Sequence, residues 1–187
     1  MNESYTQRLN LFKKERTWTV MPSALGWEEA AAQGSIAYSD IQAVEFKYAP
    51  SRFELRRVSL RIRAQGSWQE ITNVDFKGPL QSDRHSEAFL VFAAGFHRAL
   101  AEQNSRVTYR AGRTLVGYIA VVLVTVMLVL LALAGIALFA SGVVSGVVAL
   151  KLGLIAVFLP LLIKDLITNA PRSYEPNELP AAIAARA

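Results

Sequence analysis

The most suggestive chemistry in the sequence is a set of arginines at alternate positions. In FELRRVSLRIRA (53–64), Arg57, Arg61 and Arg63 share one strand face, while Val58, Leu60, Ile62 and Ala64 share the other, because successive strand side chains point to opposite faces. A guanidinium fork suits phosphate and carboxylate oxygens. This face is therefore a candidate contact for an anionic lipid surface or an acidic protein partner. The competing reading is a solvated outer face, paired across the sheet with Glu45, Glu54 or Glu70.

Little else has the spacing that catalysis or metal binding needs. His85 and His97 are separated by about three helical turns, too far to share a metal. His97 falls one residue beyond the apolar position Phe96 and is expected on a helix flank. Glu28 and Glu29 are adjacent in a strand, so their carboxylates point apart. Cysteine is absent, which excludes disulfides, thiolate metal sites and a Cys nucleophile. No Gly-rich phosphate loop, H-E-x-x-H or G-x-S-x-G occurs. The expectation is a protein that is not an enzyme and carries no cofactor and no metal. Nucleic acid is not expected either, since no aromatic platforms are interleaved with the basic strand.

The elements that must hold this strand fall into two regions. The chain has 187 residues, a net charge of +5, 52% hydrophobic and only 19% charged residues. No charged side chain occurs between Arg113 and Lys151, a stretch well beyond the roughly 20 residues that cross a bilayer. Residues 114–140 are apolar on every face and read as a first transmembrane helix, and 143–167 as a second. Arg106, Arg110 and Arg113 flank one end and Lys164 and Arg172 the other, against an uncharged turn at Ser141-Gly142. The positive-inside rule then puts both termini in the cytoplasm. The N-terminus has no apolar run and shows no cleavable signal.

Within the second helix Lys151 reads as a lysine snorkelling to the interface, with an intramembrane ion path as the sharper alternative. Pro160 predicts a kink. Gly142, Gly146, Ala149, Gly153 and Ala156 form a stripe of small residues where another backbone can approach. The partner is the first helix, through Ala132, Gly135 and Ala140, or a second chain.

Before the helices, residues 17–78 alternate in the manner of short strands. Strands are expected at 17–21, 24–28, 35–38, 41–48, 53–64 (with a bulge near Arg56) and 68–76. After Gly78-Pro79 the period becomes helical. Ser82 or Asp83 can cap a helix to about Gln103, whose inner face is Phe89, Phe92, Ala93, Phe96 and Leu100. The expected divisions are an N-terminal segment 1–16, a β domain with its helix 17–104, a connector 105–113, helices 114–140 and 143–167, and a cytoplasmic tail 168–187.

The stretches IAYSDIQAVEF (36–46), FELRRVSLRIRA (53–64), AFLVFAAGFHRAL (88–100) and NAPRSYEPNELP (169–180) resemble bacterial membrane proteins that carry a pleckstrin-homology-like domain. The resemblance implies an α+β membrane protein: an antiparallel sheet or barrel capped by a C-terminal helix, plus a transmembrane hairpin in the bacterial cytoplasmic membrane. Lipid or protein binding comes with it as a loose association, since fold alone does not give function. The expected function is a membrane-anchored scaffold or accessory subunit that binds membrane lipids or a protein partner. The alternative is a small transport or channel component that forms a homo-oligomer through the small-residue stripe.

Overall fold

The computed structural model describes residues 3–9, 14–50, 54–78, 81–142 and 146–187; side chains at 78, 81–82, 147–156 and 158 fall outside the description. The chain forms two units, 1–112 together with 172–187, and 113–171.

The first unit is α+β. Strands β1 (Ser4–Gln7), β2 (Arg16–Val20), β3 (Ala24–Glu29) and β4 (Ala32–Ala37) make an antiparallel sheet in chain order. Strands β5 (Ile41–Tyr48), β6 (Val58–Ala64) and β7 (Ser67–Thr72) begin a second sheet, and β8 (Val74–Gly78) and β9 (Gln81–Arg84) form a separate hairpin. Helix α1 (Ser86–Gln103) follows. Then β10 (Thr108–Ala111) joins the second sheet parallel to β5. That sheet is therefore mixed, with the order β11-β10-β5-β6-β7.

Alternation explains the core. Trp18, Leu25, Phe46, Leu60, Ile62 and Ile71 point inward from the strands and meet Phe89, Phe92, Phe96 and Leu100 of α1. All five apolar positions expected on the helix are buried. Tyr5 links the layers. Its ring lies 5.7 Å from Phe89 and 5.7 Å from Phe92, and its hydroxyl donates to the Thr72 carbonyl at 2.7 Å.

Between β1 and β7 a side chain stands in for a strand partner. The Gln7 amide donates to the Glu70 carbonyl at 3.1 Å and accepts from the Thr72 N–H at 2.7 Å, so it plays the part of a peptide group. Gln7 is buried, and this pairing satisfies an edge that would otherwise carry orphaned backbone groups.

Several boundaries differ from the sequence reading, each for a local reason. The expected strand 68–76 breaks at Asn73. Its buried side chain accepts from Val58 N at 2.8 Å and donates to Arg56 O at 3.0 Å, pulling the chain out of the ladder. Ser82 and Asp83 cap no helix; they sit in β9, paired with Phe76 and Asp75, and α1 starts at Ser86 after His85. The phase change near Arg56 is a turn at 54–57 rather than a bulge. The N-terminal segment supplies β1, and the connector supplies β10.

The tail also folds. Strand β11 (Arg172–Ser173) pairs antiparallel with β10, with Ala111 opposite Arg172. A last short helix, α4 (Ala181–Ala184), inserts Ile183 fully into the core. Gly112 leaves β10 with φ +84°, a backbone region that favours glycine, while its N–H holds the Phe46 carbonyl at 3.0 Å.

The second unit holds α2 (Leu115–Ala140) and α3 (Gly146–Thr168). Thr114 caps α2 through the Gly117 N–H at 3.3 Å. Arg113 ties the start of α2 to the end of α3, with its side chain 3.0 Å from Asp165 and its N–H donating to Asn169 O at 3.0 Å. The two helices are thus antiparallel neighbours. Among the described residues one helix, α2, is long and apolar enough to cross a membrane. Its buried positions include Ala132 and Gly135, whereas Ala140 is exposed.

Of the small-residue stripe, Gly142 lies not in a helix but in the turn after α2, exposed with φ +76°. Gly146 opens α3 and is exposed, and among the described residues no atom beyond its chain neighbours and its own helix backbone lies within 4 Å of where a Cβ would stand. The side chains of Ala149, Gly153 and Ala156, and that of Lys151, lie outside the described residues. Pro160 lies within α3.

Candidate binding surface

The outer face of the five-stranded sheet collects the basic strand. Register places Glu70, Arg61, Glu45 and Arg110 side by side across β7, β6, β5 and β10. One step along, Trp68 and Arg63 stand opposite one another. Lys47 stands opposite Ser59, and Ser59 opposite Thr72.

The three candidate arginines have different surroundings. Arg57 pairs with Glu70 at 3.1 Å. Arg61 pairs with Glu45 at 3.3 Å and lies 4.6 Å from the Trp68 ring centroid. Arg63 is exposed, with no ion pair among the described residues. The pairing with Glu45 and Glu70 considered from sequence thus accounts for two of the three. Glu45 is shared: the same oxygen that receives Arg61 lies 3.6 Å from the Lys47 ammonium. Burial, and then the neighbouring Arg61, lower the Lys47 pKa.

The face still carries an excess of positive charge. Lys47, Arg57, Arg61, Arg63 and Arg110 stand against Glu45 and Glu70. Two polar atoms there, Arg57 Nε and Ser59 Oγ, are buried without a hydrogen-bond partner. The sequence reading sets Ser59 on the arginine face and Lys47 near it along the chain, and takes Arg110 only as a charge flanking the first long helix. Antiparallel pairing of 41–48 with 58–64 puts Lys47 on that face as well. The place of Arg110 was out of reach, because a parallel strand from the connector has no local signal.

A second feature lies where Arg16 leaves the core. Its guanidinium donates to Glu29 at 2.8 and 2.5 Å and to Gln69 at 3.2 Å, and sits 4.9 Å from the Trp27 ring and 5.3 Å from the Trp18 ring. A recess of about 350 Å³ opens beside it, lined also by Ile36, Gln65 and Ser67. The hairpin about Pro22-Ser23 sets Thr17 opposite Glu28, so Arg16 opposite Glu29 follows from its register.

Neither histidine joins a reactive cluster. His85 is exposed at the start of α1. His97 is fully buried rather than on a flank, because the returning tail covers it. Its Nδ1 meets the Ala93 carbonyl at 2.6 Å, which only accepts, so Nδ1 carries the proton and Nε2 accepts from the Tyr174 hydroxyl at 2.6 Å. Burial lowers its pKa to about 4. Burial also raises Tyr109 to about 12 and pushes Tyr174 up. Among the described residues no group of His, Asp or Glu has the geometry to hold a metal ion.

No family model matches the chain, and no curated protein matches it. Among solved structures, a chain of one described as "Structure of the Spt16D Pob3N heterodimer" is 14% identical, with 62% of this chain and 55% of that one covered and a TM-score of 0.34. The match spans about half the length of that chain. A likeness at that level carries no argument about this protein.

Proposed function

We propose that this chain is a non-enzymatic, membrane-anchored binding module whose sheet domain holds an acidic protein partner or the anionic membrane surface. The observation that carries this reading is the outer sheet face, with five cations against two carboxylates. The sheet domain is read as pleckstrin-homology-like. Two sheets joined at the Gln7 seam and one helix packed over the core support that assignment.

The helix pair is read as a transmembrane hairpin in a bacterial cytoplasmic membrane, with both termini cytoplasmic. The length and apolarity of α2 support it. So does the pairing of β10 with β11. The chain leaves the sheet at Ala111 and re-enters at Arg172 on an adjacent strand, so the intervening residues must return to the side they left. An even number of crossings satisfies that requirement.

The test uses the full chain, purified in mild detergent and reconstituted with a Lys47→Gln, Arg63→Gln, Arg110→Gln variant alongside. Each of these cations, set near an anionic surface, contributes on the order of 1 kcal/mol. The wild type is expected to retain a protein partner, or to hold its sheet domain against vesicles containing anionic lipid, in a salt-dependent way that the variant loses. Ion flux through the reconstituted protein, with neither kind of binding, would favour the transport reading instead.

A further inference from the structure

Within the sheet unit, Val91 is a large aliphatic side chain left 55% exposed. It lies midway along the outer face of α1, among Glu87, Ala88, Ala94, Arg98 and Glu102, all exposed. At 100° per residue, Glu87, Val91, Ala94 and Arg98 fall within about 40° of one line down the helix. Among the described residues, neither Glu87 nor Arg98 has an ion pair or a hydrogen bond from its side chain. A groove of about 540 Å³ runs beside Val91, lined by Glu3, His85, Glu87, Ala88 and Phe92.

We propose that this face of α1 docks a second copy of the same chain, with the two helices antiparallel about a two-fold axis passing between Phe92 and Ala93. The charge pattern selects that occupant. Glu87 and Arg98 are separated by close to three turns on one line, with the apolar centre between them. An antiparallel copy sets each glutamate against the other copy's arginine, twice, and sets Val91 against Ala94. A parallel copy would bring like charges together. Alanines at 88 and 94 allow an interaxial distance of about 8 Å.

A single helix pair buries less than the roughly 800 Å² per partner typical of stable soluble dimers. The association is therefore weak in free solution and depends on confinement to a membrane, which raises the effective concentration. In this respect the inference rests on the membrane-anchored reading. Flotation of the proteoliposomes checks that reading separately.

The chain has no native cysteine, so Val91→Cys gives one label site. Gln33→Cys, on the exposed strand β4, is the control. In liposomes, with a short bis-maleimide, V91C is expected to give at least about 5-fold more dimer than Q33C. Reversing one charge, Glu87→Arg or Arg98→Glu, should lower the V91C dimer several-fold, and combining both reversals should restore it. The proposal is overturned if protein that floats with the liposomes shows no excess of V91C dimer, if single reversals leave the dimer unchanged, if the double reversal fails to restore it, or if V91C couples to a different protein.

Discussion

At the scale of single residues, His97 is the clearest link between burial and behaviour. Its imidazole is neutral in the fold because burial excludes water, an effect that outweighs the Ala93 carbonyl, whose hydrogen bond favours the protonated ring. In the unfolded chain it returns to an ordinary value near 6.5. The unfolded state therefore binds the extra proton first as pH falls. The stability His97 confers is full above about pH 6.5 and is lost as pH drops towards 4, by at most roughly 3 kcal/mol. Thermal unfolding of the full chain between pH 4 and 7 should show this loss, and His97→Gln should have a shallower slope across the same window. Tyr174→Phe should lower stability by about 1–2 kcal/mol at pH 7, because Nε2 is then buried without a donor.

At the scale of elements, the seam between β1 and β7 depends on one side chain. Gln7→Leu leaves the Thr72 N–H and the Glu70 carbonyl unpaired and should destabilise the sheet unit by about 1–3 kcal/mol, read as a lower denaturation midpoint. The sequence shows why this seam is hard to foresee. Alternation in 41–48 and 58–64, and the helical period of Phe89, Phe92, Phe96 and Leu100, are local patterns, and the structure follows them. A glutamine that imitates a peptide group is defined only by strands that lie far away along the chain. Asn73 is similar: its break in the expected strand follows from bonds to Arg56 and Val58, not from any turn signal of its own. The basic stripe was legible as a face, but its carboxylate partners became specific only through register.

At the scale of the molecule, the segment after the helix pair is part of the sheet unit and not a free tail. Ile183 is fully buried, and Arg186 lies 5.9 Å from the Tyr48 ring. Ile183→Ala should cost about 2–5 kcal/mol. A fragment that stops at Ala111 should lack a cooperative transition. Because Ala111 and Arg172 are direct partners on antiparallel strands, a two-residue Asn-Gly turn is long enough to join them. That excised protein should unfold in one sharp step in calorimetry, and the truncated fragment should not.

The buried position of Ile183 also sets a clock. A ribosome releases the chain from its N-terminus, so strands β1 to β10 emerge first and wait while both long apolar helices are made. The last piece of the core arrives only after both helices. Throughout that interval the aromatic interior has no lid over His97 and β10 has a bare edge, which invites pairing with any extended strand nearby. The nascent protein therefore has its greatest need of a chaperone in the interval between the making of β10 and the arrival of Ile183.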